Sequence, residues 1–196
     1  MKYSNHPTEV YISKKYFPDN VFRSYLRETY ADSDGKIDTD DVGCIELNCK
    51  GVKTLSGVEL FKHLSQLSCA GNEISNINLN YNTELKELDC SDNKLNALDV
   101  SNCKMLDILK CASNIIHRLD VSAVAPRYVD CSDNSMIRLD IGENKRLEEL
   151  HCRNNHLMAL NITPCTSLDT LDADEEVRPN KKSSSSVPSG TAFSFT

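Results

Sequence analysis

Leucines and other apolar residues recur through the middle of the chain at a fixed spacing. Five segments between residues 64 and 162 follow the pattern L-x-x-L-x-C-x-x-N-x-L-x-x-L-[DN]-[VIL], with few departures. Their central cysteines are spaced 21, 21, 20 and 21 residues apart: Cys69, Cys90, Cys111, Cys131 and Cys152. Strict alternation in each segment turns Leu88 and Cys90 inward and Glu87 and Asp89 outward. Each segment therefore predicts one short strand with one buried face.

A period of this length with this pattern is typical of leucine-rich repeats, in which each copy forms one parallel strand and a return path. We predict an α/β repeat solenoid: a horseshoe of about seven coils of 21–22 residues with a parallel sheet on its concave side. A strand and two turns leave too few of these residues for a helix, so the convex side should consist of turns or short extended pieces.

The chain divides into four predicted regions. Residues 1–16 form an irregular lead-in, and 17–41 form an N-terminal cap with a helix, whose first turn Asp19 caps, and an acidic loop. Residues 42–178 form the repeats, and 179–196 form a disordered tail rich in serine. An alternative for the last residues is that the alternation of Phe193 and Phe195 lets them pair along the final strand.

The loop at 30–41 has the outline of a calcium-binding EF-hand loop. Such loops carry oxygen ligands at set positions with a glycine at the sixth, and Gly35 fits that position. The candidate ligands are Asp32, Asp34, Asp38 and Asp41. Tyr30 occupies the first ligand position and an aspartate replaces the final glutamate. The other interpretation is a fixed turn that leads into the first strand.

Two polar rows have structural explanations. The repeated asparagines Asn72, Asn93, Asn114, Asn134 and Asn155 follow the strands, where an amide both donates and accepts hydrogen bonds between successive turns. The aspartates Asp99, Asp120 and Asp140 form a second row, and we expect their carboxylates to accept backbone N–H bonds in turns rather than to hold a cation.

The cysteines are predicted to be reduced core residues. Equivalent side chains in adjacent coils stack about 4.8 Å apart with parallel Cβ vectors, which does not suit a disulfide. Buried thiols are hard to ionise, and His151 points away from Cys152, so no nucleophile and base meet. We therefore expect no catalytic residues, no enzymatic activity and no cofactor, apart from the calcium alternative.

The outward strand positions form a concave face on which a partner would bind. Across four rows of this face, ten residues are acidic and two basic, which favours a cationic partner. Ile108 and Tyr128 occupy neighbouring coils there, and an apolar and aromatic pair beside charges is typical of an interface. The candidate partner-binding residues are Glu87, Asp89, Ile108, Lys110, Tyr128, Asp130, Glu149, His151, Arg153 and Asp172.

Charge and hydropathy exclude other classes of partner. The net charge of −7 argues against nucleic acid, which is bound by clustered lysine and arginine. No apolar stretch approaches the length of a membrane span, and the first residues lack the apolar run of a secretory signal. From these features we expect a soluble, monomeric chain that stays in the cytoplasm.

The chain resembles the internalin-like leucine-rich-repeat proteins of gut and host-associated bacteria. LKELDCSDNKLNALDVS, residues 85–101, is a full match to their repeat, and FPDNVFRSYL with DGKI resembles the helix and loop that often precede it. The resemblance covers about residues 17–173 and implies a secreted or cell-surface binding protein without catalysis, adhesin-like or effector-like, with a partner of host origin. The alternative function is a calcium-responsive structural or regulatory module that uses residues 30–41.

Overall fold

The computed structural model describes residues 8–180 and 192–194 of the 196-residue chain. Its N-terminal region consists of strand β1 (Glu9–Tyr11), helix α1 (Asn20–Tyr30) and strand β2 (Lys36–Asp38). β1 pairs antiparallel with β2, so part of the segment expected to be an irregular lead-in forms a strand. Only Val10 and Ile12 alternate inward there, and two residues are too few for a pattern to show in the sequence.

Helix α1 begins where the sequence predicted. One carboxylate oxygen of Asp19 accepts hydrogen bonds from the backbone N–H groups of Val21 and Phe22 at 2.9 and 3.0 Å. The other oxygen accepts a bond from the N–H of Lys53 in the first coil at 2.9 Å. Asp19 therefore both caps the helix and ties it to the solenoid.

The strands that follow are short and regularly spaced. They are β3 (Cys44–Glu46), β4 (Gln66–Ser68), β5 (Glu87–Asp89), β6 (Ile108–Lys110), β7 (Arg118–Asp120), β8 (Tyr128–Asp130), β9 (Arg138–Asp140), β10 (Glu149–His151), β11 (Ala159–Asn161), β12 (Thr170–Asp172), β13 (Arg178–Asn180) and β14 (Ala192–Ser194). One turn of 3-10 helix spans Val58–Leu60.

Eight of these strands form a single parallel sheet in the order β14-β12-β10-β8-β6-β5-β4-β3. Equivalent residues of successive coils lie directly opposite each other, for example Leu88 opposite Leu109. Seven strands come from seven successive coils, which confirms the predicted leucine-rich-repeat horseshoe with little helix. The central residue of each of the seven strands is buried, and so is the cysteine or its equivalent two residues later.

The asparagine row joins the coils as predicted. The Asn114 side-chain amide nitrogen lies 3.0 Å from the carbonyl oxygen of Cys90 in the previous coil and 3.2 Å from that of Cys111 in its own. Its amide oxygen accepts a bond from the N–H of Leu95 at 2.9 Å. Each of the other four asparagines also donates a hydrogen bond to a carbonyl oxygen of the previous coil. Each also accepts a hydrogen bond from a backbone N–H group of that coil.

The residue before each asparagine has a left-handed backbone. Its φ is between 52° and 68° in five coils, at Gly71, Asp92, Ser113, Asp133 and Asn154. Glycine, asparagine and aspartate tolerate this region best, which explains most of the residue types found there. The left-handed residue turns the chain out of the sheet and directs the next side chain, the asparagine, into the coil.

The N-terminal edge of the sheet is closed by two tyrosines of α1. The hydroxyl of Tyr30 donates to the carbonyl oxygen of Cys44, and that of Tyr25 accepts a bond from the N–H of Glu46 at 3.1 Å. Beneath them, the rings of Phe17 and Phe61 stack at 5.8 Å, so aromatic packing fixes the cap against the first coil.

The convex side consists of short extended segments, some of which pair as strands. β7 pairs with β9, and β11 pairs with β13, both in parallel. β14 pairs with β12, with Phe193 opposite Leu171. Residues 179–180 and 192–194 of the region expected to be a disordered tail are therefore in strands, and the pairing at 192–194 agrees with the alternative given for the last residues. Residues 181–191, Phe195 and Thr196 lie outside the described residues.

Candidate functional site

The concave face is the outward surface of the eight-stranded sheet. In the seven coil strands the central residue points inward, so the residues on either side of it face solvent. One outward row is Cys44, Gln66, Glu87, Ile108, Tyr128, Glu149 and Thr170, and the other is Glu46, Ser68, Asp89, Lys110, Asp130, His151 and Asp172. These rows hold nine of the ten predicted partner-binding residues, and Arg153 lies two residues beyond the second.

Tyr128 occupies the middle of this face. Its ring lies 5.5 Å from the ring of His151, centroid to centroid, and 5.9 Å from the Lys110 ammonium nitrogen. Its register neighbours are Ile108 and Glu149, and both Tyr128 and Ile108 are only partly buried. Burial and the nearby carboxylates raise the pKa of the Tyr128 hydroxyl above its ordinary value, so the hydroxyl stays a hydrogen-bond donor at neutral pH.

Two carboxylates in the C-terminal half of the face, Glu149 and Asp172, are close to Arg153 or to the imidazole of His151, whereas Asp130 accepts hydrogen bonds from Ser132. The two ring nitrogens of His151 lie 3.7 Å from carboxylate oxygens of Glu149 and Asp172. The Arg153 Nε lies 3.3 Å from the other oxygen of Asp172. These contacts order the side chains and offset part of the negative charge.

The N-terminal half differs, because its carboxylates are not neutralised. Among the described residues, no ion pair within 4 Å joins Glu46, Glu87 or Asp89 to a basic side chain. They line a shallow depression together with Gln66, Ser68, Ile108 and Lys110. Three carboxylates without an ion pair within 4 Å therefore line this depression with one lysine, and Asp130 is the corresponding carboxylate in the other half.

Glu46, Gln66 and Ser68 line this depression but are missing from the predicted site. Glu46 belongs to the degenerate first repeat, which has Lys50 in place of the asparagine, whereas Gln66 and Ser68 lie in a regular repeat but are neither charged nor aromatic. The signal that finds them is the register, which places Glu46 opposite Ser68 and Gln66 opposite Glu87.

The cysteine column is buried and its thiols are all free. Burial raises the pKa of Cys69 and of Cys152 to about 12, and that of Cys111 further. A protonated thiol without access to solvent is a poor nucleophile. Instead the column fills the core, with the Cys131 sulfur 3.4 Å from the carbonyl oxygen of His151 in the next coil.

Carboxylates of the acidic loop accept hydrogen bonds from the loop's own backbone. One oxygen of Asp32 accepts bonds from the N–H groups of Asp34 and Lys36, and Asp38 accepts one from the N–H of Asp40. β2 lies within this loop, and residues 39–43 after it form turns and irregular structure rather than the second helix of an EF-hand. Within the described ranges, no group of three or more acidic, histidine or cysteine side chains is placed to hold a metal ion, so Asp32, Asp34, Asp38 and Asp41 are not assembled as ligands.

Comparison with known proteins identifies the architecture. No family model and no curated protein sequence matches the chain. Among solved structures, the functional domain of InlJ from Listeria monocytogenes, described as including a cysteine ladder, superposes with a TM-score of 0.80 at 28% identity. That match covers 89% of this chain and 40% of the InlJ domain, so the chain spans less than half of its length.

Two further internalins of the same species share the fold. Internalin C2 matches with a TM-score of 0.66 at 15% identity, over 97% of this chain and 98% of its own. The internalin InlF matches with a TM-score of 0.59 at 18% identity, over 86% of this chain and 59% of its own.

The repeated coils, the parallel sheet and its variable outward face define a leucine-rich-repeat protein-interaction module. The chain is internalin-like: it is similar to the InlJ domain in sequence and fold, and it shares the leucine-rich-repeat fold of the other two internalins. No helix in the described part of the chain is long and apolar enough to cross a membrane.

Proposed function

We propose that the protein binds a basic protein partner on its concave face and has no catalytic activity. The observation that carries this proposal is the central pair of Ile108 and Tyr128, partly exposed on a sheet face and surrounded by carboxylates. Aromatic anchors beside charged groups are the usual source of binding energy at protein interfaces. By analogy with the internalins, the partner is a host protein and the role is adhesin-like or effector-like at the cell surface or after secretion.

The charge arrangement suggests how the partner lies on the face. The unneutralised carboxylates Glu46, Glu87 and Asp89 favour lysine or arginine side chains at the N-terminal half. The apolar part of the partner would contact Tyr128 and Ile108, and Arg153 offsets Asp172 in the C-terminal half. Electrostatic attraction of this kind increases the association rate and weakens with added salt.

The test uses the immobilised chain to capture partners from host and bacterial lysates, followed by binding measurements on the protein identified. Y128A should weaken binding by about tenfold to a hundredfold, as expected for a central aromatic anchor. E87K/D89K should slow association and remove most of its salt dependence. Neither change affects a buried residue, so the melting temperature should stay within a few degrees of wild type.

The matched control is M105D, which alters an exposed apolar residue outside the two outward rows. It should bind like wild type. A partner with a predominantly acidic surface, or one whose affinity is the same for wild type, Y128A and E87K/D89K, would contradict the proposal.

A further inference from the structure

Three large apolar side chains are exposed on consecutive coils of the convex side. Ile115, Ile137 and Met158 are 50%, 57% and 77% exposed. Ile137 and Met158 occupy the same position in their coils, one residue before β9 and β11 respectively, so they lie side by side. Ile115 lies two positions earlier in its coil, where the next coil has Ser135. Scattered exposed apolar residues need no explanation, but neighbouring ones such as Ile137 and Met158 indicate an interaction surface. We call this region the outer patch: Ile115, Ile137 and Met158 together with the outward residues of β7 and β9.

The charges of the outer patch alternate in sign. In both β7 and β9 an arginine precedes a buried leucine, and an aspartate follows it: Arg118 and Asp120 in one, Arg138 and Asp140 in the other. Asp99 continues the aspartate row into the preceding coil. A row of cations therefore runs beside a row of anions, unlike on the concave face, where acidic residues predominate. Arg138 pairs with Asp140 of its own strand, Nη2 to carboxylate oxygen at 3.0 Å, so these two exposed side chains would exchange partners in a contact with another molecule.

The aspartates are fixed in place by their turns. Asp99 and Asp120 each accept a bond from the backbone N–H two residues later at 2.9 Å, as the sequence predicted. The serine side chains and backbone at Ser101 and Ser122 keep the pKa of both carboxyl groups below the ordinary value, so both are ionised at neutral pH. The anionic row is thus rigid as well as charged.

The convex surface also has room for another side chain. Two adjacent depressions cross it, one lined by Leu98, Asp99 and Arg118 and the other by Arg138, Leu139 and Ala159. Leu98 and Leu139 each retain 7% exposure in these depressions, whereas most of the core is fully covered. An aliphatic residue such as Met158 from another molecule would cover them.

We propose that the outer patch is the interface of a homodimer, with a second copy of this chain related by a twofold axis. In a twofold arrangement whose facing strands run antiparallel, the arginine row of each copy lies against the aspartate row of the other. Ile137 and Met158 then lie against the depressions. Such an interface is self-complementary and closes after two copies. Two concave faces would repel each other, so they remain open to another partner. The proposal replaces the expectation of a monomer and does not depend on the proposed function.

Sedimentation equilibrium of the full chain tests this over about 1–200 μM, the range in which a small interface associates. The average mass of wild type should rise from 21.9 kDa towards twice that value. I137D/M158D, which alters only exposed side chains, should raise the dimer dissociation constant at least about tenfold. R118E/R138E should do the same by opposing like charges across the axis.

Two controls make the outcome decisive. M105D adds one negative charge outside the patch, against two in I137D/M158D, and should dimerise like wild type. Y128A should also dimerise, because it alters the concave face. A wild type that stays at the monomer mass throughout the range overturns the proposal, even if the patch is then found to bind vesicles or another protein. A dimer that persists unchanged in I137D/M158D also overturns it, since the contact would lie elsewhere.

Discussion

Five asparagine side chains bond each coil to the previous one. Asn114 is 8% exposed, and its amide contacts carbonyl oxygens of two coils and one N–H group. These backbone groups lie inside the turn, away from the ladder of the sheet. A buried polar group without a partner is costly, so the amide stabilises the coil chiefly by preventing that loss.

We expect N114A to lower the free energy of unfolding by about 2–4 kcal/mol, because it leaves one N–H and at least one carbonyl oxygen unpaired in the core. N96A, which alters an exposed asparagine in the preceding coil, should change it by about 0.5 kcal/mol or less. Urea denaturation followed by circular dichroism measures both. Equal effects of the two substitutions would show that the buried amide contributes nothing specific.

At the scale of the element, the N-terminal cap resolves the problem of an uncovered strand. β3 has no neighbour on one side, and the hydroxyl groups of Tyr25 and Tyr30 take the place of a partner strand. Burial raises the pKa of Tyr30 well above its ordinary range, which keeps that hydroxyl a donor. Asp19 holds the helix that carries both tyrosines.

D19A should therefore destabilise the protein by about 1–2 kcal/mol, since it removes the helix cap together with the bond to Lys53. D41A, which alters an exposed aspartate of the acidic loop, should have little effect.

Added calcium and then a chelator should leave the melting temperature of wild type unchanged, because carboxylates of the loop accept hydrogen bonds from backbone N–H groups. A rise in melting temperature with calcium that D41A abolishes would restore the calcium hypothesis.

The sequence predicts elements that repeat and misses those that occur once. The coil strands, the asparagine row and the cap helix follow from spacing and from Asp19, because each repeated position samples the same environment several times. β1 and β13 are too short for a periodic signal, and each depends on pairing with backbone groups, whereas the pairing of β14 was the alternative suggested by Phe193 and Phe195. The acidic loop was assigned from residue types alone, whereas its geometry is set by the turn at Asp32.

The candidate binding site on the concave face also combines features that the sequence predicts with features that it does not. Alternation along the strands places Tyr128, Ile108 and the acidic residues on one face, and the structure agrees. The contacts of His151 with Glu149, Asp172 and Tyr128 depend on side-chain rotamers in three neighbouring coils, which the sequence does not specify. Which carboxylates of the face are paired with a cation is therefore a result of the structure.

For the whole molecule, stability depends on keeping seven buried thiols protonated: Cys69, Cys90, Cys103, Cys111, Cys131, Cys152 and Cys165. Burial raises the pKa of every one of them above the ordinary value of 9.0. In the unfolded chain they ionise near that ordinary value. The unfolded state therefore releases protons first, and ionisation favours unfolding.

Stability should be constant with respect to these groups below pH 9 and fall steeply above it. Each thiol contributes a loss of up to about 1.4 kcal/mol per pH unit between its unfolded and folded pKa values. Urea midpoints measured from pH 7 to pH 11 under reducing conditions test this, and C111A should reduce the slope. A midpoint that does not change above pH 9 would mean that the thiols are already accessible in the folded chain.

The left-handed turn and the asparagine that follows it give every coil the same exit and the same set of bonds for its neighbour. The natural unit of change is therefore one complete coil of 20 or 21 residues. Duplicating or deleting such a unit lengthens or shortens the binding surface while every remaining coil keeps its neighbours' bonds. An insertion of a few residues within the strand-to-turn segment would instead shift the inward residues outward for that coil. Gaining or losing whole coils therefore lets a protein of this architecture match the length of its binding surface to partners of different size.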